Sequence, residues 1–375
     1  MKKNKSRIAH VSESESEIEF DTETESDIDT DTDSDSDSES DSDSEPKIKY
    51  KKSTKKSTKK LKMIDLCAGT GAFTLAFEST GLVDVVFAVD IEPTSKTIYD
   101  ANFDHELTLG DMCDIKLKNI PPHNILTAGI SCQPFSIAGK QLGFDDPRTN
   151  VFWKLLEIIR YHEPECVIIE NVKNLVSHDN GDTIKTIISS LKKEKYYVKY
   201  EILNTSTITP IPQHRERIYI VCVKNKKIFT EFNFDFPLVK KKKIKDMIET
   251  DVDAKYYYNN KKSNIHQMVI KDVVKKNTIY QFRRVYVREN KSAECPTLTA
   301  NMGTGGHNVP LVLGKKYPRK LTPRECFNFQ GFSDDYVLPN ISDSKLYKLA
   351  GNAVSVPVVK LIADKLVPIL HKTYL

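Results

Sequence analysis

Between Met63 and Val223, five short apolar runs alternate with stretches of helical spacing, and this alternation constrains the fold of the 375-residue chain more than any other feature. The runs are Met63–Cys67, Val85–Val89, Ile125–Ile130, Val167–Ile169 and Arg217–Val223 (RIYIVCV). Their length and near-continuous apolar character suit strands buried on both faces of a sheet. Val151–Tyr161 and Thr183–Leu191 carry apolar residues at helical spacing, and a further helix is expected from the AGTG turn through Phe77. Strands alternating with helices predict an α/β fold, a doubly wound Rossmann-like sheet of parallel strands.

Outside this region the texture changes. Residues 226–320 are rich in Lys, Asn and Tyr, with short apolar runs and the cluster Gly303, Gly305 and Gly306, and predict a smaller, mostly β domain extending to about residue 340. The segment 341–375 regains helical spacing and is expected to pack back on the large domain, which spans 63–225. At the other end, every odd position from Glu13 to Glu45 is Asp or Glu and most even ones are Ser or Thr. Such a tract cannot bury enough apolar surface to offset its ordering entropy, so residues 1–46 are expected to form a disordered acidic tail. Lys47–Lys62 reads as a Lys-rich flexible linker that could touch nucleic acid or act as a nuclear import signal.

Charge separates along the chain. Residues 46–375 hold 52 basic and 35 acidic residues, a net +17 that the whole-chain value of +4 conceals. A basic body suits a polyanionic partner, because phosphate neutralisation releases condensed counterions; a Lys-rich solvated surface accounts for the charge equally well. No run approaches the roughly 18 apolar residues of a membrane span, and the basic N-terminus lacks the apolar core of a secretory signal. The seven cysteines form no CxxC pair, which argues against a zinc site or a disulfide framework and fits a reducing compartment.

Two places carry chemistry. The DLCAGTGAF segment, Asp65–Phe73, puts small residues where a strand turns into a helix, so backbone N–H groups can approach a ligand closely. Asp90 ends the next strand, where a carboxylate can accept ribose hydroxyls, and Gly110–Asp111 follows the third and could bind an adenine amino group. A glycine turn alone is equally compatible with a structural role. Thr74 occupies the third glycine position of a dinucleotide fingerprint, so a nucleoside without a pyrophosphate fits better, and S-adenosylmethionine is such a ligand. The second place is Gly129–Phe144 (GISCQPFSIAGKQLGF), with Cys132 just past a buried strand and Pro134 after it. Glu170 ends the next strand, and Arg215 and Arg217 of QHRER stand at the start of another, where a cation could lower a thiol pKa. Cys132 alone reads more simply as a buried structural cysteine, and Glu170 alone as a cap or ion-pair partner; their joint placement favours catalysis.

These motifs, in this order, resemble those of the bacterial-type DNA cytosine-5 methyltransferase family, from about Met63 to Leu370: DLCAGTGAF, SCQPFS, ENVKNL, QHRERIYIV, RKLTPRECFNFQGF and AGNAV. The resemblance implies an S-adenosylmethionine-dependent methyltransferase domain with a target-recognition domain at 226–340. It implies Cys132 as the nucleophile adding to carbon 6 of a flipped-out cytosine, Glu170 at ring nitrogen 3, and Arg217 with Arg215 steadying the site. Cofactor contacts are implied at Asp65, Cys67, Ala68, Gly69, Thr70, Gly71 and Phe73. Others are implied at Asp90, Ile91, Asp111 and Met112, with Asn352 and Val354 completing the pocket. Gln133 and Ser136 would lie on the loop closing over the base. Arg283, Arg284, Thr299, Asn301, Gly303, Gly305 and Gly306 would contact double-stranded DNA, the expected partner of a chain acting as a monomer.

Three positions depart from the family: Ser131 precedes the cysteine where Pro is usual, Cys67 replaces an aromatic residue that stacks on adenine, and Ala72 replaces a glycine. They put the hold on the base and the cofactor affinity in question. Two other readings stay open, a tRNA cytosine-5 methyltransferase and a catalytically degenerate DNA-binding protein. The roughly 110-residue insertion and the absence of the tRNA branch's CFT signature favour DNA. The acidic tail, rich in sites for acid-directed kinases, is expected to compete with DNA for the basic body, and points to the nucleus or cytoplasm of a eukaryotic or virus-infected cell.

Overall fold

The structure, a computed structural model, describes residues 59–130, 150–260, 262–283, 285–304 and 308–375. Ser131, Cys132, Gln133, Ser136, Arg284, Gly305 and Gly306 lie outside the described residues, as do the acidic tract and most of the Lys-rich linker.

Seven strands form one sheet: β1 (Leu61–Leu66), β2 (Val83–Asp90), β3 (Thr108–Leu109), β4 (Ile125–Gly129), β5 (Cys166–Val172), β6 (Tyr197–Asn204) and β7 (Glu216–Val223). Their spatial order is β3-β2-β1-β4-β5-β7-β6, with chain order reversing beside β1 and β4. That reversal opens the crevice in which α/β sheets bind ligands. The first strand starts at Leu61 rather than Met63, inside the stretch expected to be linker. Leu61 is fully buried and its N–H donates to Leu82 O, whereas the alternating Lys62 faces solvent.

The sheet is mixed where parallel strands were expected. β1, β2, β3, β4 and β5 pair in parallel, but β7 runs antiparallel to both β5 and β6. The connection through 205–215 is too short for a crossover around the sheet, so β7 must return in the opposite direction. β6 carries no apolar run. Its sequence, YVKYEILN, belongs to an edge strand with Tyr197, Tyr200 and Ile202 exposed.

Helices cover both faces. On one lie α1 (Ala72–Glu78) and the last helix of the chain, Val356–Tyr374, whose Val358, Val359, Ile362 and Leu366 pack with Phe73 and Phe77. Each such fully buried side chain contributes about 1.5–3 kcal/mol of hydrophobic stabilisation. α2 (Pro93–Asp100) follows β2. On the other face lie α3 (Asn150–His162) and α4 (Asp182–Lys193), with Leu155, Ile158, Ile159, Ile184 and Leu191 against β4, β5 and β7.

After the short helices α5 (Thr205–Ile208) and α6 (Lys226–Glu231) comes α7 (Asn264–Asp272). A second sheet holds β8 (Tyr280–Arg283), β9 (Tyr286–Glu289), β10 (Leu311–Leu313) and β11 (Pro318–Lys320), antiparallel in the order β11-β10-β8-β9. Short helices, 3-10 turns and irregular backbone make up the rest of this segment. It is followed by α8 (Pro323–Gln330) and α9 (Asp343–Asn352). The C-terminal segment divides: α10, the last helix, returns to the large sheet, whereas α9 packs its Leu346, Leu349 and Ala350 with Leu298 and Met302. Among the described residues, no helix is long and apolar enough to cross a membrane.

Candidate active site

The crevice is built at the carboxyl end of β1. There the backbone turns through Cys67, Gly69 and Gly71, all at positive φ (54°, 55° and 69°). A non-glycine residue in the left-handed region costs about 1 kcal/mol or more, and such residues gather where a ligand dictates the backbone path. A Cβ on Gly71 would stand 2.3 Å from Phe103 Cε2, so only glycine fits this turn. Gly69 N–H donates to Asp90 Oδ2 at 2.9 Å and Glu92 N–H to Asp90 Oδ1 at 2.8 Å. The tip of β2 is thereby tied to the turn after β1. Burial raises the Asp90 pKa against these hydrogen bonds and a further one from the Ser95 side chain.

Other expected cofactor residues gather around it. Ile91 is exposed beside Asp90. Cys67 Sγ lies 3.5 Å from Met112 Sδ, and Asp111 caps the turn Met112–Asp114 by accepting from Cys113 N–H at 2.8 Å. Nothing stands within 4 Å of the position a Cβ on Gly110 would take. Thr70 is buried, and its Oγ1 has no hydrogen-bond partner among the described residues. Ala68 is buried and joins the turn to β2 through Val89 O. Val354 comes from the opposite end of the chain, near the position a Cβ on Gly129 would take, while Asn352 is exposed at the end of α9.

Two expected cofactor contacts point elsewhere. Asp65 is fully buried, its oxygens accepting from Thr127 Oγ1 at 2.8 Å and Thr74 Oγ1 at 2.9 Å. Burial outweighs both bonds and pushes its pKa up to about 7. The ring of Phe73 is buried in the core beneath α10, so a ligand can reach only its backbone. A carboxylate inside a buried strand and the first aromatic of a helix serve the interior here.

A second cluster lies at the tips of β4, β5 and β7. Gly129 pairs with Glu170 across the parallel strands, and Ile130 O accepts from Asn171 Nδ2 at 3.4 Å. Because β7 is antiparallel, its first residues arrive at the edge where β4 and β5 end. Arg217 Nε stands 3.3 Å from Glu170 Oε1, close enough for an ion pair, yet that oxygen accepts no hydrogen bond from a described residue. Glu170 is 7% exposed, and burial raises its pKa against the opposing charges of Arg217 and Arg215.

Arg215, expected beside the reacting base, is a clamp. It is 2% exposed and donates to Leu298 O at 2.9 Å and Ala353 O at 2.7 Å, with Gly351 O at 3.4 Å. Gln213, which the sequence did not single out, accepts from Leu298 N–H at 3.2 Å and donates to Phe329 O at 2.6 Å. These two side chains fasten residue 298 and the AGNAV segment to the start of β7. Backbone packing completes the joint, since a Cβ on Gly351 would stand 2.1 Å from the Thr299 carbonyl carbon.

Beyond this joint lies a groove of about 590 Å³. Arg283 and Thr299 line it as expected, joined by Gln281, Arg288, His214, Asn290 and Asn308. Asn301 is exposed nearby and accepts at its carbonyl from Asn308 Nδ2 at 3.5 Å. Gly303 faces α9 instead, where a Cβ would meet Ser344 O at 2.5 Å. Gln281 and Arg288 could have been found from the alternation of YQFRRVYVRENK, whose apolar positions mark one face and leave these two on the other.

Comparison with known proteins shows the family. The family model described as C-5 cytosine-specific DNA methylase matches residues 61–368. The chain is 45% identical to the Type II methyltransferase M.Bsp6I of Bacillus sp. (strain RFL6), over 82% of this chain and 98% of that protein. It is 38% identical to M1.ScrFI of Lactococcus lactis subsp. cremoris, over 85% and 81%. These relatives are bacterial and lend no support to a nuclear location. In fold, the chain resembles the Entamoeba histolytica methyltransferase EhMeth, with a TM-score of 0.66 at 20% identity over 83% of this chain and 99% of that one. With the family model spanning both the crevice and the groove, the chain belongs to the C-5 cytosine-specific DNA methylase family and is a DNA cytosine-5 methyltransferase.

Proposed function

We propose that the chain binds S-adenosylmethionine in the crevice above β1 and methylates carbon 5 of a cytosine flipped out of double-stranded DNA, with Cys132 as nucleophile. The observation that carries this reading is the buried Glu170 carboxylate at a strand tip, ion-paired to Arg217 and with Oε1 accepting no hydrogen bond from a described residue. The crevice residues fit the cofactor. Asp90 offers acceptors for ribose hydroxyls, Ile91 an exposed apolar side chain, and Asp111 an acceptor beside the open space at Gly110. When bound, S-adenosylmethionine supplies an electrophilic methyl group.

The protein's own residues prepare the base. A thiolate from Cys132, two residues beyond the Ile130 that is tied to Asn171, adds to carbon 6 of the ring. Protonated Glu170 donates to ring nitrogen 3 and takes up the charge that this addition develops. Arg217 holds the Glu170 carboxyl in place, and Arg215 fixes the joint behind it. Carbon 5 thus becomes nucleophilic, and after methylation the loss of its proton expels the cysteine thiolate. A stacked base cannot meet these groups, so the cytosine must leave the helix.

Tritiated methyl transfer to mixed-sequence duplex DNA and to total tRNA, with wild type and Cys132→Ala, tests this reading. Transfer to duplex DNA that vanishes in the variant supports it. Transfer to tRNA alone keeps the chemistry and overturns the substrate. Binding of cofactor and DNA without transfer favours a degenerate binder and directs attention to Ser131 and Cys67.

A further inference from the structure

We propose that Arg288, oriented by Gln281, reads a guanine of the target sequence, an inference that rests on the chain acting on duplex DNA. β8 and β9 form an antiparallel ribbon in which Gln281 stands opposite Arg288 and Arg283 opposite Tyr286. Tyr280 and Phe282 are buried with Val269, Val273 and Leu311, so the intervening Gln281 and Arg283 are on the other face of the ribbon and line the groove with Arg288. Arg288 Nη2 donates to Gln281 Oε1, and Arg283 Nη2 approaches the same oxygen at 3.4 Å.

A neutral amide orients a guanidinium without cancelling its charge. Arg160, Arg217 and Arg319 each pair with a glutamate, but none of the ion pairs among the described residues includes Arg288. Its planar fork holds five donors, and the edge turned from Gln281 matches the paired O6 and N7 acceptors that guanine presents in the major groove, which admits a two-stranded ribbon. A phosphate could accept the same fork, but the lining argues for a base edge. Among the described residues no lysine lines the groove, although the chain is rich in lysine, and Glu294 there is already paired with Lys241 at 2.6 Å. The remaining walls carry amides and hydroxyls, among them Asn290, Asn308, Thr297 and Thr299. These are groups that bond base edges.

The test is methylation of a duplex library randomised around a cytosine, with the methylated positions read by sequencing for wild type, Arg288→Ala, Arg288→Lys and Gln281→Ala. Arg288→Ala is expected to lower discrimination at a single guanine position by roughly ten- to a hundredfold and leave the other positions intact. Arg288→Lys, which keeps charge but loses the fork, relaxes the same position and serves if the alanine variant fails to fold. Gln281→Ala gives a smaller relaxation there. An unchanged consensus in both Arg288 variants overturns the inference while leaving the methylation reading intact. So does a uniform loss across all sequences with a shallower salt dependence, which marks a phosphate contact. Absence of methyl transfer to any duplex by the wild type defeats both together.

Discussion

Arg217 Nε and Glu170 Oε1 stand 3.3 Å apart at the tips of two antiparallel neighbours, paired in charge but not in hydrogen-bond geometry. Burial favours the neutral carboxyl, and the two arginines favour the charged one; burial prevails. Glu170 is therefore held closer to neutrality than an ordinary glutamate, as a proton donor to a base requires. Replacing it with glutamine keeps the shape and removes the acid. Single-turnover methyl transfer by Glu170→Gln is expected to fall by about 10²–10⁴-fold, with cofactor affinity unchanged.

The same pair sets a pH dependence. In the proposed mechanism Glu170 acts protonated and Cys132 ionised, so kcat is expected to trace a bell with one limb reporting the acid. Arg217 is the larger of the two charges lowering the Glu170 pKa, so Arg217→Ala raises that pKa further. That limb should then move to higher pH, beyond any fall in rate. A limb that stays in place would assign it to another group.

Arg215 predicts a different signature. Its guanidinium reaches carbonyls at Leu298, Gly351 and Ala353, which a lysine cannot bridge together. Arg215→Lys is expected to cost about 2–4 kcal/mol in denaturant unfolding, because buried carbonyls lose a charged donor. A variant of wild-type stability that is simply inactive would instead return Arg215 to the reacting base.

Two glycines separate folding from cofactor binding. Gly351→Ala drives a Cβ into the Thr299 backbone, and is expected to lower stability by about 1–3 kcal/mol or more. Gly110→Ala meets nothing within 4 Å, so Tm should hold while S-adenosylmethionine Kd, measured by calorimetry, rises. Unaltered affinity in Gly110→Ala would move the adenine away from Asp111.

Asp65 carries a stability prediction. Its folded pKa of about 7 lies above the ordinary value of 3.8, so the folded state favours its proton. The stability this confers is complete below about pH 4 and lost as pH rises through 7. Tm of wild type should therefore fall relative to Asp65→Asn across that window. A constant difference between the two proteins from pH 4 to 8 would rule this out.

The parallel strands β1, β2, β4 and β5 were legible because each holds a short apolar run, and Glu170 and Asp90 because they end such runs. The antiparallel β7 was not, since strand direction leaves no mark on a run such as RIYIVCV; only the short connection before it decides. β6 was missed because an edge strand need not be apolar. Arg215 and Arg217 sit two residues apart in one motif and share a chemistry in sequence, but β7 sends one beneath the joint and the other to Glu170. Asp65 and Gly303 sit in motifs that read as ligand contacts, but the structure gives them packing and hydrogen-bonding roles.

The reading ribbon rests on its own small apolar cluster of Val269, Val273, Tyr280, Phe282 and Leu311, apart from the clusters beneath the crevice. Substitutions on its outward face therefore change what is read without loosening what reacts. Such a division lets a lineage drift among DNA sequences by a few point mutations, each intermediate still a folded catalyst.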